Sequence, residues 1–279
     1  MKKVLGFISL LVVLVLAACG GADSSNGNNN EEEDRTLVIG ASSIPHAEIL
    51  EEAKPLLEEK GITLEIEEYE DYVLPNDDLE NGDLDANYFQ HIPYLEQTVA
   101  DTGYELDYID GIHVEPMGVY SQSITSIDEI PNGTEVILSN SVADHARILS
   151  LFEAQGLITL DDSVDKGAAE IDDIVENPKE LEFSPDVVPE LLPEIYFSEE
   201  NSLVVINTNY AIGADLNPLE DALFIEGSDS EYVNVIAVRA EDKDDEDLNT
   251  LVEVLQSEDI QNFIVENYEG AVVPVGGDQ

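Results

Sequence analysis

LVIGASSIPHAEILEEAKPLLEEKGITLEI, residues 37–66, reads as strand, helix and strand in succession. Leu37-Val38-Ile39-Gly40-Ala41 is a short apolar run closed by small residues. Within residues 45–60 the apolar side chains fall at Ile49, Ala53, Leu56 and Leu57, the period of a helix, and Gly61 ends it. Ile62-Thr63-Leu64-Glu65-Ile66 then alternates as a half-buried strand. Together they form a βαβ unit, which lays helices over a mostly parallel sheet and leaves the loops at the strand carboxyl ends free to hold ligands.

Outward from this unit the alternation continues. Residues 76–81 fit a short helix stopped by Gly82, and Gln90-His91-Ile92-Pro93-Tyr94-Leu95 opens another. Residues 113–121 are extended but interrupted by Pro116, which suits an edge or a crossover into a second lobe better than a central strand. Beyond it the logic of the first half returns without its sequence: a strand over 135–138, a helix over 143–156, further segments at 171–176 and 181–183, a Pro-punctuated helix over 187–195 and a buried strand over 203–206. Residues 232–239 read as a return strand. One closing helix over 247–268, with Leu248, Leu251, Val252, Leu255, Ile260, Phe263 and Ile264 at helical spacing, is expected to pack back on the first lobe. The expectation is an α/β chain of two lobes, 36–117 with 234–275 and 118–233, each a mixed, mostly parallel sheet flanked by helices, with hinge strands between.

The amino end speaks to location. Lys2 and Lys3 precede an apolar run from Val4 to Leu16, followed by Ala17-Ala18 and then Cys19, the single cysteine. That is the layout of a secretory signal, residues 1–19, ending in a lipid-modification site at Cys19. The run is shorter than the ~20 residues that a membrane-spanning helix requires, which argues against a retained anchor. Residues 20–35 have nothing to bury and read as a disordered, acidic tether. The body is therefore expected on the extracytoplasmic face of the cell membrane, held there by lipid. With one thiol, no disulfide can form within the chain.

The formal net charge is −53, from 63 acidic and 10 basic residues. Such a field repels nucleic acid, whose phosphates need clustered Lys or Arg, so nucleic-acid binding is excluded. The carboxylates are scattered, as in Asp244-Asp245-Glu246-Asp247, rather than set at cation-ligand spacing. They read as a solvated face suited to salty, halophilic surroundings, where counterions screen the self-repulsion.

Catalytic motifs are missing: there is no Gly-rich phosphate loop with its lysine, no HExxH and no GxSxG. The sequence therefore predicts a binding protein without a cofactor rather than an enzyme. Arg147 falls near the start of the helix after the 135–138 strand, where a helix amino end also favours anions. It either clasps a carboxylate or pairs on the surface with a neighbour such as Asp144. His46, His91 and His113 with Glu115 carry a further reading, a zinc or manganese site in a cleft between lobes.

Five segments, in this order, resemble the substrate-binding lipoproteins of methionine-uptake ABC importers, the NlpA type. They are Pro45-His46-Ala47-Glu48-Ile49-Leu50; Leu84-Asp85-Ala86-Asn87-Tyr88-Phe89-Gln90-His91-Ile92-Pro93-Tyr94-Leu95; His113-Val114-Glu115-Pro116-Met117-Gly118; Ile174-Val175-Glu176-Asn177-Pro178-Lys179; and Val205-Ile206-Asn207-Thr208-Asn209-Tyr210-Ala211. The resemblance runs over residues 37–274. It implies a two-lobed periplasmic-binding-protein fold, type II-like, that closes on a free amino acid, usually L-methionine, and delivers it to an ABC permease and its ATPase.

By position, Tyr72, Phe89, His91 and Tyr94 match that family's side-chain pocket, Arg147 its carboxylate partner, and Asn207 and Asn234 its polar contacts. The chemistry agrees: aromatic walls suit a thioether, and a desolvated carboxylate suits a guanidinium fork that is always charged. Read without the resemblance, Phe89 and Tyr94 are ordinary core aromatics.

Two stretches depart from the pattern. Ser139-Asn140-Ser141-Val142-Ala143-Asp144-His145-Ala146 replaces the family's usual Asn-Asp-Pro-Thr-Asn before the arginine, and residues 192–201 are longer than expected. Asp144 stands where the family tends to carry Asn. An aspartate there recognises an ammonium group or weakens carboxylate binding, which leaves L- or D-methionine, a methionine dipeptide or another neutral amino acid open. Two other functions compete with the amino-acid receptor: a metal receptor or extracytoplasmic metalloenzyme built on His46, His91, His113 and Glu115, and an adhesion lipoprotein without a transport role.

Overall fold

The computed structural model describes residues 35–227 and 230–276. The signal sequence, Cys19 and the tether through residue 34 lie outside the described residues. Among the described residues no helix is long and apolar enough to cross a membrane.

The βαβ unit forms as the pattern requires. Strand Arg35–Ser42 lies parallel to Ile62–Tyr69, with Ile39 opposite Ile66, and helix Glu48–Glu58 makes the crossover. Ile49, Leu50, Ala53 and Leu57 supply the helix's buried stripe, and Gly61, at φ +77°, turns the chain into the second strand. The regular helix starts at Glu48 rather than Pro45, because a short π-type turn over Ser43–Ala47 precedes it and carries His46 into the interior.

These strands belong to a six-stranded sheet ordered Val273–Pro274, Leu106–Val114, Val233–Arg239, Ala86–Tyr88, Arg35–Ser42, Ile62–Tyr69. A five-stranded sheet is ordered Phe224–Ile225, Gly118–Tyr120, Leu203–Ile206, Glu135–Ser139, Glu182–Val187, with its last three strands parallel. Each sheet carries its own apolar core, Ile39, Ile49 and Leu251 under the first and Val136, Phe152 and Leu203 under the second. The chain crosses from one to the other at Glu115-Pro116-Met117, as the proline suggests, and returns between Ile225 and Val233. The returning strand pairs antiparallel with Leu106–Val114, but its register slips at Asn234/Val235 and again between Val235 and Ala237. These β-bulges bend the ladder beside the crossing.

Two helix expectations need correction. The closing segment is two helices, Glu246–Leu255 and Glu258–Tyr268, not one. Ser257 takes extended φ/ψ as the second N-cap, Glu258 and Asp259 follow in the first turn, and the Gln256 amide donates to the Gly111 carbonyl at 2.8 Å. Breaking there lets Leu251 and Ile264 reach the same core. Residues 187–195 are likewise not a continuous helix. Val187 ends a strand, Pro189–Leu191 is a single 3₁₀ turn, and the helix runs Leu192–Ser198, with each proline at a helix start.

Candidate functional site

A cavity of about 30 Å3, the space of a water or two, lies where elements of the two sheets meet. Tyr72, Phe89, His91, Tyr94, Arg147, Asn207 and Asn234 all line it, so the seven residues expected to hold an amino acid converge here. Gln90, Glu115, Asp144, Thr208 and Asn209 complete the wall.

One end is aromatic. Tyr72, Phe89 and Tyr94 stand with ring centroids 5.8–6.0 Å apart, and Tyr210 closes on Tyr72 at 5.0 Å. Their hydroxyls are satisfied at the rim: Tyr94 donates to the Tyr72 carbonyl at 2.9 Å and Tyr72 to Asn209 Oδ1 at 2.6 Å. Burial holds the Tyr72 phenol far above its ordinary pKa, so it remains a donor. Behind this wall Gln90 is locked to Asn76 and Asn87 by side-chain hydrogen bonds of 2.7–2.9 Å, which fixes the turn presenting Phe89 and His91. These aromatics are therefore cavity walls, not interior packing alone.

The other end is polar. His91 is the N-cap of helix Ile92–Thr102 and accepts the Tyr94 backbone N–H at Nδ1 (3.1 Å), so its proton sits on Nε2, which donates to Asp144 Oδ1 at 3.1 Å. Asn207 donates through Nδ2 to Asp144 Oδ2 at 3.2 Å, and this fixes its amide orientation. Its Oδ1 is then buried with no partner among the described residues. Asp144 is 1% exposed. Burial pushes its carboxyl up, but the His91 hydrogen bond and the charge of Arg147 outweigh that and keep it ionised, below the usual carboxylate range.

Arg147 is not a surface arginine, for its side chain is 4% exposed. Nor does it pair with Asp144 by hydrogen bond. Its Nε (2.9 Å) and Nη2 (2.5 Å) both donate to Glu226 Oε2, Nη2 also donates to the Glu115 carbonyl at 2.5 Å, and Tyr232 lies 4.6 Å from the guanidinium. Glu226 thus occupies one edge of the fork expected to be open for a ligand carboxylate. Only Nη1 has no partner among the described residues.

Beneath the cavity Glu115 gathers a second network. Its Oε1 faces His113 Nε2 at 2.9 Å and His46 Nε2 at 3.2 Å, while Oε2 accepts the Asn209 backbone N–H at 3.0 Å. His46 also bonds Asn234 Oδ1 at 3.1 Å, and Tyr88 bonds His113 Nδ1. Burial lowers His46 to about 4, against the pull of Glu115 and with the push of His113. The four residues of the metal reading therefore divide. His46, His113 and Glu115 come together with ligand atoms within 4.8 Å, whereas His91 serves Asp144 instead. His46 Nε2 and His113 Nε2 both face Glu115 Oε1 and join the cluster as a hydrogen-bond network, while His46 Nδ1 is buried with no partner among the described residues.

Sequence reasoning missed Glu226, Tyr232 and Asn209. Glu226 sits in a Gly- and Ser-containing loop 79 residues from Arg147, with no pattern to mark it. Asn209 stands two residues after Asn207, and no sequence pattern gives its amide a role.

The chain resembles known proteins over most of its length. The NlpA lipoprotein family matches residues 37–276. The methionine-binding lipoprotein MetQ of Bacillus subtilis (strain 168) is 46% identical over 243 residues, 86% of this chain and 88% of that protein. Among solved structures, a pheromone cOB1 precursor/lipoprotein of the YaeC family from Enterococcus faecalis V583 superposes with a TM-score of 0.84 at 46% identity, covering 86% of this chain and all of that one. A nutrient binding protein from Burkholderia cenocepacia, bound to methionine, gives 0.81 at 36% identity, covering 86% of this chain and 100% of its own. The architecture is accordingly the two-lobed α/β fold of substrate-binding proteins, and the chain belongs to the NlpA lipoprotein family.

Proposed function

We propose that this protein captures methionine, or a closely related amino acid or methionine dipeptide, between its two lobes and delivers it to an ABC permease with its ATPase. The observation that carries this reading is the convergence of six separate chain regions on one cavity with an aromatic end and a charged end. A thioether gains from ring contact and area burial at the first, while Arg147 and Asp144 complement a zwitterion at the second. Relatives named for methionine binding support the same ligand class.

In this reading residues 36–117 with 234–275 move as one lobe and 118–233 as the other, closing because only the closed form contacts ligand from both sides. Lipid on Cys19 and the tether over 20–35 hold the body at the extracytoplasmic face of the cell membrane. Calorimetry tests the assignment. The full chain in detergent, refolded from denaturant to strip carried ligand, is titrated with L-methionine, D-methionine, glycyl-methionine and other neutral amino acids. Saturable heat with a methionine compound is the expected result; heat with none of them overturns the assignment.

A further inference from the structure

The charges around the cavity are unbalanced in a way the amino-acid reading alone does not require. Arg147 is the guanidinium of the site, and Glu226 already takes its Nε and Nη2, at 2.9 and 2.5 Å. Asp144 and Glu115 add two more buried carboxylates. A ligand carboxylate entering here meets a cation that is largely neutralised, through the single nitrogen Nη1, with other anions close by.

An ammonium meets the opposite situation. Asp144 accepts one hydrogen bond at each oxygen, from His91 and from Asn207, and retains further lone pairs. Next to it, Asn207 Oδ1 is a buried acceptor with no donor among the described residues, a group that costs free energy until something donates to it. A carboxylate oxygen and an unpaired amide oxygen, fixed side by side at a cavity wall, form a receptor for an N–H-rich cation. They offer nothing to a carboxylate.

We infer that the ammonium end is the principal charged determinant of this site, read by Asp144 and Asn207 Oδ1, and that the carboxylate end is secondary. The ligand class then widens to methionine derivatives with a free α-ammonium and a blocked carboxyl, amides and amino-terminal methionyl peptides among them. The inference rests on the methionine-type reading above and names which end of that ligand the site demands.

The test compares L-methionine, L-methioninamide and N-acetyl-L-methionine by calorimetry on the full chain in detergent, at a pH where both amines are protonated. Methioninamide is expected to bind within threefold of methionine or more tightly, and N-acetyl-methionine at least 100-fold more weakly. Methionine binding 100-fold more tightly than its amide, or N-acetyl-methionine retaining the affinity of methionine, overturns the inference and leaves the methionine assignment standing. Heat from none of the three overturns this inference, and the wider ligand series above then decides the assignment. Asp144→Asn provides a second measurement: the ratio of amide to free-acid affinity is expected to fall at least tenfold, and an unchanged ratio in a folded variant overturns the role of Asp144. Should the variant not fold, the ligand series on the unaltered chain decides alone.

Discussion

Tyr72, just past the end of the second strand of the first sheet, donates its hydroxyl to Asn209 Oδ1 at 2.6 Å, and Asn209 lies in the first turn of the helix that follows a central strand of the second sheet. The contact joins the two halves at the rim of the cavity. Its partners, 137 residues apart in the chain, follow strands of different sheets, so in the closing motion proposed above the bond belongs to the closed form. Tyr72→Phe keeps the ring and removes this bond. The expected cost to the closed form is about 1 kcal/mol, hence a three- to tenfold loss of ligand affinity with little change in melting temperature. Calorimetry beside thermal denaturation separates the two; an unaltered affinity would remove the bond from the account of closure.

Arg147→Ala should hurt both folding and binding. The substitution leaves Glu226 without its cation in a largely buried setting, and breaking such pairs costs about 3–5 kcal/mol. Urea denaturation of the variant and the unaltered protein reads this directly. Equal midpoints would show that the pair contributes nothing in solution.

His46 makes stability depend on pH with a definite sign. It is 1% exposed, and burial holds its pKa at about 4, below the 6.5 of a free imidazole. As pH falls below 6.5 the unfolded chain takes up a proton that the folded one refuses, so stability is lost from there down to about pH 4, by about 3 kcal/mol in all. Glu115 acts in the same direction at lower pH, since its carboxyl is held below the usual range by His46, His113 and the Asn209 N–H in spite of burial. The expectation is a melting temperature that drops between pH 7 and 4.5 in the unaltered protein and drops less in His46→Gln. Parallel curves for the two would contradict it.

Leu251→Ala tests the packing of the broken closing segment. Leu251 is fully buried against the first sheet's core, and truncation there is expected to cost about 2–5 kcal/mol in urea denaturation. A loss under 1 kcal/mol would mean that the helix Glu246–Leu255 is loosely held.

The surface charge sets a salt response. With 63 acidic residues against 10 basic, self-repulsion opposes the compact state in dilute buffer, and counterions relieve it. The melting temperature is expected to rise from low to molar NaCl. A flat response would refute the idea that this surface is built for salt.

Much of this was legible in the chain. Apolar spacing from Leu37 to Ile66 gave the opening βαβ unit, and Pro116 marked the first crossing because a residue without an N–H cannot hold a central strand. The cavity residues came from the resemblance, since periodicity cannot tell a pocket aromatic from a core one. What escaped was set by contacts distant in sequence. No local pattern ties Glu226 to Arg147, or shows that Asp144 turns to His91 and Asn207 rather than to the arginine one helical turn away. The break at Ser257 escaped although it was marked twice, by an apolar stripe that jumps about a third of a turn between Leu255 and Ile260 and by Ser-Glu-Asp, a helix-start signal.

The slipped register between Leu106–Val114 and Val233–Arg239 has a mechanical consequence. Asn234, at the first slip, is also the residue that touches His46 and lines the cavity. In the lobe motion proposed above, bending at that uneven seam would displace a cavity side chain directly. On that proposal, stiffening the seam is expected to alter how fast cargo is released as much as how firmly it is held.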